Sequence, residues 1–139
     1  MFAALAIGIA AAVADGCASG PATPGPVYPR DMRQSRTLDV QVFRQTKHME
    51  LTNTTAVSYG PSRLWLNGRY SRPIDGFAAG QSLTVPLDDF VDNLGDTFRG
   101  GGFFATETPE RLVLVQLETK SPDGTPVLLG LVVVKSEDE

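Results

Sequence analysis

Cys17 and His48 are the only cysteine and the only histidine in the 139 residues, so nucleophilic or metal chemistry would have to begin with one of them. A nucleophile triad needs an imidazole within reach of a serine or cysteine and an acid to orient the ring. His48 stands in "KHME", beside Lys47 and two places before Glu50, and no serine sits in a glycine elbow. A surface or half-buried strand histidine is what these neighbours support. One imidazole and one thiol also make no zinc ligand set. Asp88, Asp89, Asp92 and Asp96 fall within nine residues, and hard cations favour oxygen cages. The alternating acids of a calcium loop are missing, and no glutamate stands twelfth from Asp88, Asp89 or Asp92. Capping and solvation are therefore the expected roles. A glycosidase pair from the same acids would need a cleft that a small domain has little room to build. "RGGGFF", residues 99–104, has neither the Gly-Lys-Ser/Thr step nor the following helix of a phosphate loop. No catalytic residue, metal or cofactor is assigned, and the chain is read as a non-enzyme.

Aromatic side chains supply the other kind of site. Tyr59, Trp65 and Tyr70 surround a predicted hairpin, and Phe98, Phe103 and Phe104 flank three consecutive glycines. Exposed rings can stack on sugars or anchor a protein. Trp65, Tyr70, Phe103 and Phe104 form the candidate interaction surface, with a protein partner favoured over a carbohydrate and no small-molecule ligand expected.

The elements that must position these residues follow from composition and periodicity. A chain that is 42% hydrophobic and 20% charged has the makeup of one globular domain. A net charge of −4 argues against nucleic acid, whose phosphates call for a basic face. The charge is uneven: Cys17 to Arg72 carries eight basic residues against three acids, and Pro73 onward carries four against twelve.

Residues Phe2 to Ala14, "FAALAIGIAAAVA", form an uncharged apolar run that suits a signal segment and is short for a bilayer-spanning helix. Small residues and then Cys17 follow. This order resembles the lipobox of bacterial lipoproteins, in which the cysteine is diacylated on sulfur and becomes the new N-terminus after cleavage. Ala14 and Asp15 depart from the usual occupants before the cysteine, and no Lys or Arg precedes the apolar run. A simple cleaved signal with a free thiol and a retained anchor helix are the alternatives. The resemblance implies lipid at Cys17, extracytoplasmic placement on the bacterial envelope and, with Ala18 following, the outer membrane of a didermic host. An intrachain disulfide has no second cysteine.

After Cys17, the prolines at 21, 24, 26 and 29 read as a semi-rigid spacer to Arg36. From Thr37 the pattern alternates with period two: Leu38, Val40 and Val42, then Met49 and Leu51, then Leu64 and Leu66, then Leu83, Val85 and Leu87. Trp65 then points away from Leu64 and Leu66, onto an exposed sheet face or under a covering loop. Asn67-Gly68 predicts a two-residue hairpin turn, and Pro73 and Pro86 mark edge strands. A short helical turn near residues 88–94 is predicted, capped by Asp88 and closed by Gly95. "RLVLVQLET" and "VLLGLVVVK", joined at Pro122-Asp123-Gly124, predict the central hairpin. The span 96–109 has no period, and Phe103 and Phe104 are expected to divide, one inward and one outward.

Six or seven short strands predict an all-β, antiparallel β-sandwich. "LTNTT…LWLNG…IDGFAAGQSLTVPL", within residues 50–87, resembles immunoglobulin-like modules of bacterial surface proteins. That resemblance implies a spacer or adhesion role and no catalytic residues. The expected organisation is a signal peptide over residues 1–16, lipidated Cys17 with linker to 36, the β domain over 37–135, and an acidic tail over 136–139. The expected function is a membrane-anchored binding or structural module with an envelope protein partner; the alternative is a secreted carbohydrate-binding or enzyme-accessory domain.

Overall fold

The computed structural model describes residues 23–135, so the apolar N-terminal run, Cys17 and the acidic tail lie outside the described residues. Seven strands form: β1 (Gln34–Arg44), β2 (His48–Thr52), β3 (Ser62–Leu66), β4 (Tyr70–Ile74), β5 (Ser82–Pro86), β6 (Val115–Lys120) and β7 (Pro126–Val134). They make a single sheet in the order β4-β3-β6-β7-β1-β2-β5. The domain is all-β, as the alternation requires. Each apolar set named above lies on a buried face, with Leu38, Val40 and Val42 separated by exposed Asp39 and Gln41.

The pairing departs from a purely antiparallel arrangement. All neighbours are antiparallel except β1 and β7, which run parallel from Gln34↔Leu128 to Phe43↔Val134. Sequence alternation marks which residues face inward but not which strand lies alongside, and parallel neighbours here come from the two ends of the domain. The register slips between Gln34 and Arg36 and again between Thr37 and Gln41. Extra residues on one strand bend it and raise its twist, and the sheet curls at β1. The seven strands thus form one continuous mixed sheet, not two separate ladders.

Proline at 73 and 86 does fall on the two edge strands, β4 and β5, where a missing amide costs no ladder bond. The β6–β7 hairpin occupies the middle of the sheet. The helical expectation needs correction: a 3-10 turn spans Leu87–Asp89, with Pro86 at its N-cap and no side-chain cap, so Asp88 does not cap it. Residues near 92–95 form a separate turn closed by Gly95 N–H to the Asp92 carbonyl, 3.2 Å.

The linker boundary also moves. β1 begins at Gln34, and the segment before it is held against the back of β3 and β6 at Tyr28 instead of standing free. Tyr28 packs edge-on to Trp65, centroids 5.2 Å apart, and donates to Gln116 Oε1 at 2.7 Å. Gly25 N–H reaches the Asp92 carbonyl at 2.8 Å. Proline removes donors and favours extended backbone, which suits a strap that crosses a sheet face without joining the ladder.

The β3–β4 turn holds three residues, Asn67 to Arg69, with Leu66 opposite Tyr70. Asn67 and Gly68 both take positive φ, 54° and 64°. A Cβ on Gly68 would meet the Tyr28 ring at 3.7 Å, an ordinary contact. Gly68→Val should therefore act through backbone strain and cost about 1–3 kcal/mol, whereas Gly68→Asn, which tolerates this conformation, should cost much less. Urea denaturation separates them; equal stability of wild type and Gly68→Val would show that the turn is not held at positive φ.

Candidate functional site

Strand directions collect one set of loops at one end of the sheet. There lie the C-terminal ends of β1, β3, β5 and β7, the N-terminal ends of β2, β4 and β6, and the connections 45–47, 67–69 and 87–114. The longest of these carries the aperiodic stretch. Phe98 turns inward, 1% exposed, with its ring edge-on to Tyr70 at 5.4 Å. Its N–H bonds the Phe90 carbonyl at 2.9 Å. Phe98 is the plug that closes this end of the core.

Arg44, at the end of β1, pins both roots of the protruding part. Its Nη2 donates to the Gly100 carbonyl at 3.1 Å and its Nη1 to the Glu110 carbonyl, while the guanidinium lies 5.7 Å over Phe98. Glu110 Oε1 accepts from the Tyr70 hydroxyl at 2.7 Å and faces Arg99 Nη2 at 3.1 Å. The Glu110 N–H closes on the Arg99 carbonyl at 2.9 Å. Between these roots, Gly101 and Gly102 take φ of 84° and 132°. A Cβ on Gly101 would sit 2.9 Å from Pro109 Cβ, so the backbone there demands glycine on both sterics and conformation.

Past the glycines a turn, Ala105 N–H to the Gly102 carbonyl at 3.0 Å, lifts two rings into solvent. Phe103 is 94% exposed and Phe104 88% exposed, edge-on to each other at 5.0 Å. The expected division into one inward and one outward ring does not occur: Phe98 already fills the core position, and both neighbours are left outside.

Trp65 and Tyr70 belong elsewhere. Trp65 is 1% exposed under the Tyr28 strap, with Nε1–H donating to Glu118 Oε2 at 2.6 Å. Tyr70 is 3% exposed, under Phe98 and Arg69. Of the four candidate surface residues, the fold brings Phe103 and Phe104 together on the outside and takes Trp65 and Tyr70 inside. Trp65 on the face away from Leu64 and Leu66, under a covering segment, is one of the two placements its alternation allowed.

The acids disperse. Asp92 is 1% exposed and saturated: Oδ2 accepts from Arg69 Nε and Nη2 at 2.9 and 2.7 Å, and Oδ1 accepts from the amides of Leu94 and Asp96, each at 2.9 Å. Asp89 faces Arg72 at 3.5 Å. Among the described residues no three His, Cys, Asp or Glu side chains are placed to hold a metal ion. His48 Nε2 meets Glu50 Oε1 at 3.3 Å.

Arg44, Asp92 and Glu110, which help organise this end, carry little local signal, whereas Asn67 is marked by the Asn67-Gly68 turn pair. Asn67 Nδ2 donates to the Arg111 carbonyl at 2.7 Å, and its Oδ1 accepts from Val113 and Leu114, so the turn residue also ties the loop to β3. For the other three, the Asp92-Asn93-Leu94-Gly95 string was the one cue, since an aspartate often bonds the amide two places on.

The chain matches no protein-family model, no curated protein and no solved structure. The residues of this loop end therefore define the site on their own geometry.

Two titrations follow from that geometry. Burial, then the bond to Glu110 and its negative charge, push the Tyr70 hydroxyl up to about 12. Tyrosine in the unfolded chain ionises near 10, so this stabilisation is complete below about pH 10 and is lost as pH rises toward about 12. Tyr70→Phe should cost about 1–3 kcal/mol at neutral pH by leaving Glu110 short of a donor, and should remove that alkaline loss. An unchanged alkaline unfolding limb in the variant would refute the assignment.

For Asp92, burial opposes the charge, but the Arg69 bonds and the amides of Asp96 and Leu94 outweigh it and hold the carboxyl below its ordinary value. This stabilisation is present above the ordinary carboxylate range and is lost as pH falls through the lowered folded value. Asp92→Asn should lower stability at pH 7 and flatten the acid limb of a stability profile; a parallel downward shift at every pH would contradict it.

Proposed function

We propose that this chain is a non-enzymatic lipoprotein of the bacterial cell envelope, held extracytoplasmically by lipid on Cys17 and acting as a binding or structural module. The order of apolar run, small residues, Cys17 and prolines supports the anchor. The binding role rests on one observation: a loop rooted at Gly100 and Glu110 by Arg44 presents Phe103 and Phe104 almost wholly to solvent. Natural surfaces tolerate scattered apolar residues, whereas paired rings on a pinned support are costly unless something covers them.

The immunoglobulin-like sandwich fits the curled sheet when β5-β2-β1 is taken as one layer and β7-β6-β3-β4 as the other, with β1 passing between them. The apolar core draws on both sets, Val40, Met49 and Val85 from the first and Leu64, Leu117 and Leu129 from the second. That is the packing expected of facing layers.

The carbohydrate alternative is less well supported. Of its platform rings, Trp65 and Tyr70 are buried and Tyr59 is partly buried against the core, and the exposed pair is edge-on rather than coplanar, so the two rings form no shared flat platform.

The anchor is tested on the full chain in a bacterial host. Wild type should incorporate labelled palmitate and partition into detergent, and Cys17→Ala should do neither. Equal behaviour of the two proteins would remove the lipoprotein assignment.

A further inference from the structure

The start of the N-terminal strap and the exposed rings lie at the same end of the sheet, and the strap then runs to β1, which begins at the opposite end. Gly25 is bonded to Asp92, and Asp92 is bonded to Arg69 of the β3–β4 turn. Arg69 lies 4.7 Å over Tyr70, whose hydroxyl reaches Glu110 at the root of the aromatic loop. Thr23, the first described residue, is six positions after Cys17, and six residues span at most about 20 Å. A lipid on Cys17 would therefore keep the bilayer surface within about 20 Å of this end of the domain, where the chain leaves the strap.

Exposed apolar side chains concentrate there as well. Of the eight large exposed apolar residues among those described, Leu94, Phe103, Phe104 and Val113 all belong to the single connection 87–114. The charges around them are mixed: Lys47 touches the Gly102 position, Arg99 is shared between Glu107 and Glu110, and Asp96 faces Arg69. Such a surface has apolar reach without a basic field, so its partner should be recognised by its apolar interior and not by anionic groups. Aromatic side chains on a protruding turn are suited to the boundary between headgroups and acyl chains.

We propose that Phe103 and Phe104 dip into the lipid surface to which the chain is anchored, giving the domain a second membrane contact that fixes its orientation. This rests on the anchor at Cys17 proposed above. The lipid is the occupant favoured over a protein because the short tether keeps a bilayer within reach of this end before any partner arrives. The contact is apolar, so zwitterionic phosphatidylcholine is sufficient and salt has little effect.

The test uses the full chain, as Phe103→Trp and Phe104→Trp, in phosphatidylcholine vesicles with and without brominated acyl chains. Trp65, buried beneath Tyr28, supplies the background, measured with wild-type protein, and an unchanged urea midpoint reports that each variant is folded. The added indoles should emit at shorter wavelength on vesicles, lose most of that emission to bromolipid and resist aqueous iodide, in high salt as in low. Emission at the aqueous wavelength that iodide quenches and bromolipid does not would overturn the proposal. So would indoles shielded from iodide only in native envelope membranes, because a protein would then cover the rings. Palmitate on Cys17 is read on the same samples. Labelled protein with no bromolipid quenching removes the lipid contact and keeps the anchor; unlabelled protein whose indoles are still quenched removes the anchor and keeps the contact.

Discussion

The parallel pairing of β1 with β7 is the constraint on which the rest of the arrangement depends. It joins the first strand of the domain to the last in the middle of the sheet, so the other strands lie outward of this pair, β6, β3 and β4 on one side and β2 and β5 on the other. Parallel strands cannot be linked by a tight turn, and here most of the chain serves as the connection. The register slips along β1 allow one strand to pair with β7 over much of its length and with β2 near its end, which bends the sheet around its own core. The same pairing directs the end of β1, with Arg44, toward the loop end. Without that direction the guanidinium would not lie beneath Gly100 and Glu110.

Polar groups settle the two ends of the molecule once the apolar strands have settled its middle. A buried acceptor or donor is tolerable only when satisfied. Asp92 meets this condition with Arg69 and two amides. At the opposite end, fully buried Asn53 donates to the carbonyls of Val57 and Phe77 and accepts from the amide and hydroxyl of Thr55. Each residue fixes a loop by replacing ladder bonds that an irregular backbone cannot make. The molecule thus has an apolar interior with a polar clasp at each end, and among the described residues only one end raises aromatic rings above its clasp.

That asymmetry separates the roles of three phenylalanines close in sequence. Phe98 follows the turn that Asp92 holds and fills the space over Tyr70. Phe103 and Phe104 follow glycines whose positive φ turns the chain away from the core. Burying a phenylalanine is worth about 1.5–3 kcal/mol, so leaving two in water forgoes a gain that the fold itself does not take. A covering surface can take it.

Local patterning in the sequence determined the strand faces, the positive-φ turn at Asn67-Gly68, the edge positions of Pro73 and Pro86 and the central β6–β7 hairpin, because alternation, turn chemistry and missing donors act within a few residues. It also marked residues 96–109 as irregular and Trp65 as facing away from its apolar neighbours. Only the tertiary structure decided that β1 lies parallel to β7, that the proline segment straps the back of the sheet over Trp65, that Tyr70 is interior, and that Phe103 and Phe104 are both outside. Each of these depends on which distant segment arrives alongside: Tyr28 on Trp65, Phe98 and Glu110 on Tyr70, Arg44 under the loop roots. Periodicity gives a side chain its direction, but burial is completed by the partner that covers it, and that partner is chosen by long-range packing.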